Sequence, residues 1–198
     1  MPDEVRGLGP LRNWILDHYQ EEIVVMADDD IKRCISVTRE SPYNITDPAD
    51  IERIIVNAGL MARDLGATIF GFNSSWDVRK FRVDRPFYFD TWVGGIIGVV
   101  GRKRKFLQHH LFKVDIDYCL EGILNERVIW KDDRFGFVQI RDRNRGGNAQ
   151  YRTASKVARE VEFLKRKWGS HLDWKETKSG VTPVLKVARR DQFLAGQG

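Results

Sequence analysis

The sequence predicts an α/β fold: a mixed central sheet flanked by helices. Short apolar, β-branched runs alternate with segments of helical periodicity. Turn-forming residues separate the two kinds of segment. At 42% hydrophobic and 31% charged residues, the 198-residue chain can bury one core and keep a polar surface. It carries no internal repeat, low-complexity tract or linker. The whole of 1–198 therefore reads as a single domain, with 190–198 as a polar tail.

The elements follow in order. "GPLRNWILDHYQ" sets Leu11, Trp14, Ile15 and Tyr19 at helical spacing behind Pro10. "IVVMA" is short and β-branched, as a buried strand should be. "SPYNITDP" reads as a loop. Asp47 then caps a helix from Pro48 to about Leu65, with Gly66 as its stop and Ile51, Ile54, Ile55, Ala58 and Met61 on one apolar face. "ATIFGFNSS" reads as a strand. The segment from Lys80 to Gly101 reads as one or two strands broken at Gly94-Gly95. A helix is expected from about Asp115 to Leu124. Two short strands with a turn at Lys131–Asp133 should follow, then a glycine- and arginine-rich loop. "ASKVAREVEFLKRKWGSHL" reads as an amphipathic helix with Gly169 near its C-terminus, and "TPVLKVAR" as a late strand.

The formal net charge of +5 favours an anionic partner such as nucleic acid, a nucleotide or a phosphosugar. Cys34 and Cys119 lie far apart with no CxxC or Cys/His cluster, against a zinc site or disulfide framework and in keeping with a reducing compartment. The opening "MPDEVRGLGP" is polar. The longest apolar stretch, Trp92 to Val100, is too short to cross a bilayer, which takes about 20 residues. The expectation is a soluble, cytoplasmic protein with no membrane partner.

Asp28, Asp29 and Asp30 directly follow the apolar strand "IVVMA". Ligands of open α/β sheets gather at the C-terminal ends of strands. Carboxylates crowded there repel one another unless a cation joins them, and hard oxygen ligands suit Mg²⁺ or Mn²⁺. Strand alternation would turn Asp28 and Asp30 to one pocket and Asp29 away. A solvated acidic turn is the plainer alternative.

The order "LRNWILDHYQEEIVVMADDD" resembles GT-A glycosyltransferases, in which an Arg-Asn-bearing helix precedes a strand ending in Asp-x-Asp. The resemblance implies that Arg12, Asn13 and Asp28 approach a nucleotide-sugar donor, possibly a UDP-sugar. It also implies that Asp30, with Asp28, binds a divalent cation, Mn²⁺ or Mg²⁺, bridging the donor's diphosphate. "TWVGGIIGVV" resembles the family's glycine-rich strand, with Gly94 and Gly95 against donor or acceptor; a simple β-bulge is the alternative. "KVDIDYCLEGIL" resembles the Glu-Asp-x-Asp segment. Asp115 and Asp117 match its aspartates and Val114 stands where Glu is usual. Asp115 is then the candidate general base, although a helix-start carboxylate is also an ordinary cap. Arg143, Arg145 and Arg152, hinged at Gly146-Gly147, would close over the diphosphate, and His171 would be a late metal ligand. Within the family the arrangement looks most similar to phage TET-associated glycosyltransferases, which are linked with sugar addition to hydroxymethylated pyrimidines in DNA. The aspartates begin at position 28. The segment that grips the nucleoside in GT-A domains is therefore expected to be missing at the amino terminus.

A DNA acceptor would explain the basic balance. Arg102, Lys103, Arg104 and Lys105 could contact phosphates on the acceptor side, with Trp76 and Trp92 stacking on a base and His109-His110 nearby. Two other readings stand beside this one. Asp30-Ile31-Lys32 resembles the D-x-K of Mg²⁺-dependent PD-(D/E)xK nucleases. A non-catalytic, GT-A-like nucleic-acid-binding protein is the other.

Overall fold

The computed structural model describes residues 5, 7–75, 77–108, 113–139, 153–177 and 180–187. Among them the architecture is α/β, with a mixed, curled sheet of seven strands and a separate two-stranded hairpin. Trp76, His109, His110, Arg143, Arg145, Gly146, Gly147, Arg152 and the tail from 190 lie outside the described residues.

Helix α1 (Leu8–His18) leads into strand β1 (Ile23–Ala27). Strands β2 (Ile31–Ser36) and β3 (Tyr43–Ile45) follow. Helix α2 (Pro48–Asp64) starts where Asp47 accepts a hydrogen bond from Ala49 N, and Gly66 lies just beyond its end at φ 72°. Then come β4 (Ile69–Asn73), β5 (Phe87–Tyr88) and β6 (Ile96–Val100). Helix α3 (Val114–Glu126), β7 (Trp130–Gln139) and α4 (Ala154–Trp168) precede the hairpin of β8 (Leu172–Thr177) and β9 (Gly180–Leu185).

The sheet order is β1-β6-β4-β7-β2-β3, with β5 beside β7. Strand β1 is antiparallel to β6, β6 to β4, and β4 is parallel to β7. The C-terminal ends of β1, β4 and β7 therefore share one edge of the sheet. The sheet separates two cores. On one side Leu16 of α1, Tyr118 and Ile123 of α3, and Phe106 between β6 and α3 pack with Val24, Met26, Ile97 and Val99. On the other, Ala58 and Ala62 of α2 pack onto Phe70, Phe72, Ile96 and Phe137. Helix α4 and the hairpin cover the outer side of α3 through Leu164, Leu172, Ile116 and Leu120.

Four sequence expectations are corrected. Tyr43–Ile45, read as loop, is a strand. Residues 130–139 form one strand rather than two. Asp132 and Asp133, which suggested a turn, are buried and satisfied locally: Asp132 by the Arg134 guanidinium, Asp133 by Lys131 at 2.7 Å. The strand continues because both halves have partners, β4 and β5 along the first and β2 along the second. Its register against β4 shifts there between Phe72 and Asn73. Met61 is 46% exposed, and Ala62 takes its place in the buried stripe of α2. The helix expected to continue through Leu172 stops at Trp168, where Gly169 takes φ 51°, and Leu172–Thr177 is instead a strand of an outer hairpin.

Candidate functional site

The acidic triple is a corner in the curled sheet. Strand β1 ends at Ala27, Asp28 to Asp30 form a turn, and β2 begins at Ile31. The backbone N–H of Asp28 donates to Gly95 O at 2.8 Å, and that of Ile31 to Asp28 O at 3.4 Å. Asp28 and Asp30 do share one side, but the turn puts them there, not strand pleating. The Gln139 amide nitrogen donates to both, at 2.9 Å to Asp28 Oδ2 and 2.8 Å to Asp30 Oδ1. Asp29 is exposed.

Arg12 is the hub. The period of α1 turns it inward, where it is only 2% exposed. One guanidinium nitrogen donates to Asp28 Oδ1 at 3.2 Å and the other pairs with Asp115 Oδ1. The face of Phe106 lies 5.3 Å from its guanidinium carbon. Burial presses the Arg12 guanidinium down from its ordinary value, against the pull of Asp28. Burial also pushes the Asp28 carboxyl up; Arg12 opposes this and neighbouring Asp30 adds to it. These side chains thus hold charge where charge is costly.

Gly94 and Gly95 stand just ahead of β6 rather than as a bulge within it. Gly95 has φ 79°, and a Cβ there would lie 3.1 Å from Gln139 Cδ. A Cβ on Gly94 would lie 3.0 Å from the Trp92 ring and 3.4 Å from Asp115 Oδ2. Glycine at both positions lets the backbone reach the carboxylates without displacing them. Asp115 sits in the first turn of α3, where a carboxylate also meets the helix dipole. One of its oxygens is held by Arg12 and the other faces Gly94 and Trp92.

The remaining candidates do other work. Both amide atoms of Asn13 are engaged by the Phe106 backbone: Nδ2 donates to Phe106 O at 2.8 Å and Phe106 N donates to Oδ1 at 2.7 Å. The Asn13 amide is a staple between α1 and the segment after β6, not a donor-facing group. Asp117 turns away from Asp115 and ties α3 to α4, accepting from Lys167 Nζ and from Trp168 Nε1 at 2.9 Å each. His171 is exposed in the 3₁₀ turn before β8. Among the described residues no group of three or more His, Cys, Asp or Glu is placed to hold a metal ion.

The basic cluster lies past the end of β6 remote from Gly95, since the N–H of Gly101 donates to Glu22 O at the start of β1. The acceptor-side placement expected from the sequence is corrected accordingly. Arg102 donates to the Tyr19 carbonyl, Arg104 pairs with Glu126, and Lys105 pairs with Asp17. Lys103 is exposed. Most of this charge is spent inside the protein.

Asp28 and Asp30 present carboxylate oxygens, the donor type that hard divalent cations take. The Gln139 amide nitrogen, 2.9 Å from an oxygen of Asp28 and 2.8 Å from one of Asp30, shows that the two carboxylates converge on one positively polarised group. Two carboxylates with the remaining positions left to phosphate or water are a common Mg²⁺ arrangement. Gln139 was not anticipated, because one glutamine at a strand end carries no sequence pattern. Among the described residues no helix is long and apolar enough to cross a membrane. Searched against protein-family models, curated proteins and solved structures, the chain matches none.

Proposed function

We propose that the protein is a GT-A-like glycosyltransferase. It moves a sugar from a nucleotide-sugar to an acceptor hydroxyl, with hydroxymethylated pyrimidines of phage DNA as the acceptor class. One observation carries the reading. Arg12, the Asp28–Asp30 turn, Gly94-Gly95 and Asp115 are far apart in sequence and meet at one edge of the sheet. That is the set of segments on which the resemblance to GT-A enzymes rests.

The chemistry assigned to these residues is a displacement at the sugar's anomeric carbon. The acceptor oxygen forms the new bond, the bond to the nucleoside diphosphate breaks, and the hydroxyl proton goes to Asp115. Arg12 pairs with Asp115 Oδ1, which leaves Oδ2, beside Gly94, to receive the proton. Trp92 offers an apolar wall at the same place. Asp28 and Asp30 would hold Mn²⁺ or Mg²⁺, which when bound supplies positive charge to the departing diphosphate. Gln139 keeps the two carboxylates together.

The test is mass spectrometry of hydroxymethylated DNA after incubation with a panel of sugar nucleotides and Mn²⁺. A hexose-sized mass gain lost in both Asp30→Asn and Asp115→Asn is expected. No mass gain with any donor, together with no thermal shift by UDP-sugars and Mn²⁺, refutes the reading. Activity retained in Asp115→Asn alone removes only the base assignment.

A further inference from the structure

We infer that Lys32 and Arg33, at the start of β2, form a phosphate-binding pair beside the acidic turn. Between Ile31 and Arg33 the register of β2 against β7 shifts, so this strand carries one extra residue there. The consequence is visible in the core. Ile31 and Cys34 both pack on the α2 side of the sheet, although they are three positions apart. Lys32 and Arg33, between them, share the interval that one outward residue would fill in a regular strand. Both are exposed, and among the described residues neither has an ion-pair partner.

Among the described residues other exposed cations, Lys103 one of them, also lack a carboxylate partner, but Lys32 and Arg33 are adjacent at a bulge beside the acidic turn. Arg12, Arg104, Lys105, Arg134 and Lys167 each meet a carboxylate. Of the three acids just before the pair, Asp28 is engaged by Arg12 and Gln139 and Asp30 by Gln139, while exposed Asp29 forms no ion pair with either residue. Two like charges pushed together by a bulge repel one another and contribute nothing to the core. A phosphate removes that repulsion. Its oxygens accept from a lysine ammonium as a point charge and from an arginine fork in a bidentate way. Ile31 lies opposite Gln139, which places the pair at the edge of the sheet where Asp28 and Asp30 stand. The ligand class is thus phosphate-bearing, and only the source of the phosphate rests on the transferase reading: a nucleoside diphosphate under that reading, a polynucleotide backbone otherwise.

The experiment titrates UDP, pyrophosphate and a short DNA duplex into wild type, Lys32→Ala/Arg33→Ala and Lys103→Ala, at low salt, with and without Mn²⁺. Both residues are exposed, so the double variant should keep the wild-type thermal midpoint. UDP and pyrophosphate should bind at least about tenfold more weakly to the double variant and unchanged to Lys103→Ala. A loss confined to the duplex keeps the pair as a phosphate site and assigns it to nucleic acid. Equal binding by wild type and double variant overturns the inference, as does a wild type that binds none of the three probes. A protein that binds pyrophosphate through this pair yet transfers no sugar retains the inference and ends the transferase reading. Transfer that is indifferent to the pair does the reverse.

Discussion

Replacing Arg12 by Met tests whether the site is also a structural keystone. The guanidinium is buried and compensates two carboxylates from different elements, Asp28 after β1 and Asp115 in α3. Methionine fills much of the volume and removes the charge. Asp28 and Asp115 are then left without their cation in a poorly solvated place. Breaking a buried ion pair on one side costs about 3–5 kcal/mol, because the remaining charge has no partner. A domain of this kind has about 5–15 kcal/mol in total, so the loss is a large share. The assay is urea unfolding near neutral pH, read by tryptophan fluorescence. Arg12→Lys keeps a charge but not the fork that spans two carboxylates, and should lose less. The Arg12→Met penalty should shrink in acid, where the stranded carboxylates protonate. A penalty under about 1 kcal/mol, or one independent of pH, refutes the claim that Arg12 ties these elements together.

Two further predictions concern the same neighbourhood. Asn13→Ala leaves a buried N–H and a buried carbonyl of Phe106 without partners, at about 1–3 kcal/mol each, and should lower the urea midpoint with the slope unchanged; a wild-type midpoint would show that water or a shifted backbone replaces the staple. Burial raises the Asp28 carboxyl above its ordinary 3.8, so the native state holds that proton more tightly than the unfolded chain. Its contribution is greatest below the ordinary value and is lost as pH rises through the raised one. The stability of Asp28→Asn relative to wild type should therefore improve between about pH 3 and pH 7, and a difference that stays constant, or turns further against the variant as pH rises, contradicts the assignment.

Much of this was legible in the sequence where the determinants are local. The α2 boundaries follow from Asp47, Pro48 and Gly66, strands β1 and β6 from their β-branched runs, and β4 from its short apolar, aromatic run. The residues that converge at the sheet's edge were singled out where a residue type advertises its chemistry: Asp28, Asp30, Gly94, Gly95 and Asp115. The rest was not legible where a partner is distant and ordinary. Asn13 is consumed by backbone groups of Phe106, and Arg104 and Lys105 by Glu126 and Asp17. A run of basic residues looks the same whether or not acids from elsewhere in the fold meet it. Strand β2 escaped notice because its bulge breaks the alternation by which a strand is recognised.

The acidic corner also has a history within each folding event. Strand β1 leaves the ribosome long before its partner, since Ile23 pairs with Val100, and Ile31 of β2 waits for Gln139. At about 5–20 residues per second, seconds pass during which both strands expose unpaired edges and the aspartates repel one another with no glutamine between them. Pairings of such long sequence separation are slow to form. The corner is therefore completed only when β7 arrives, and a chain truncated before Gln139 would hold the acids without the group that joins them.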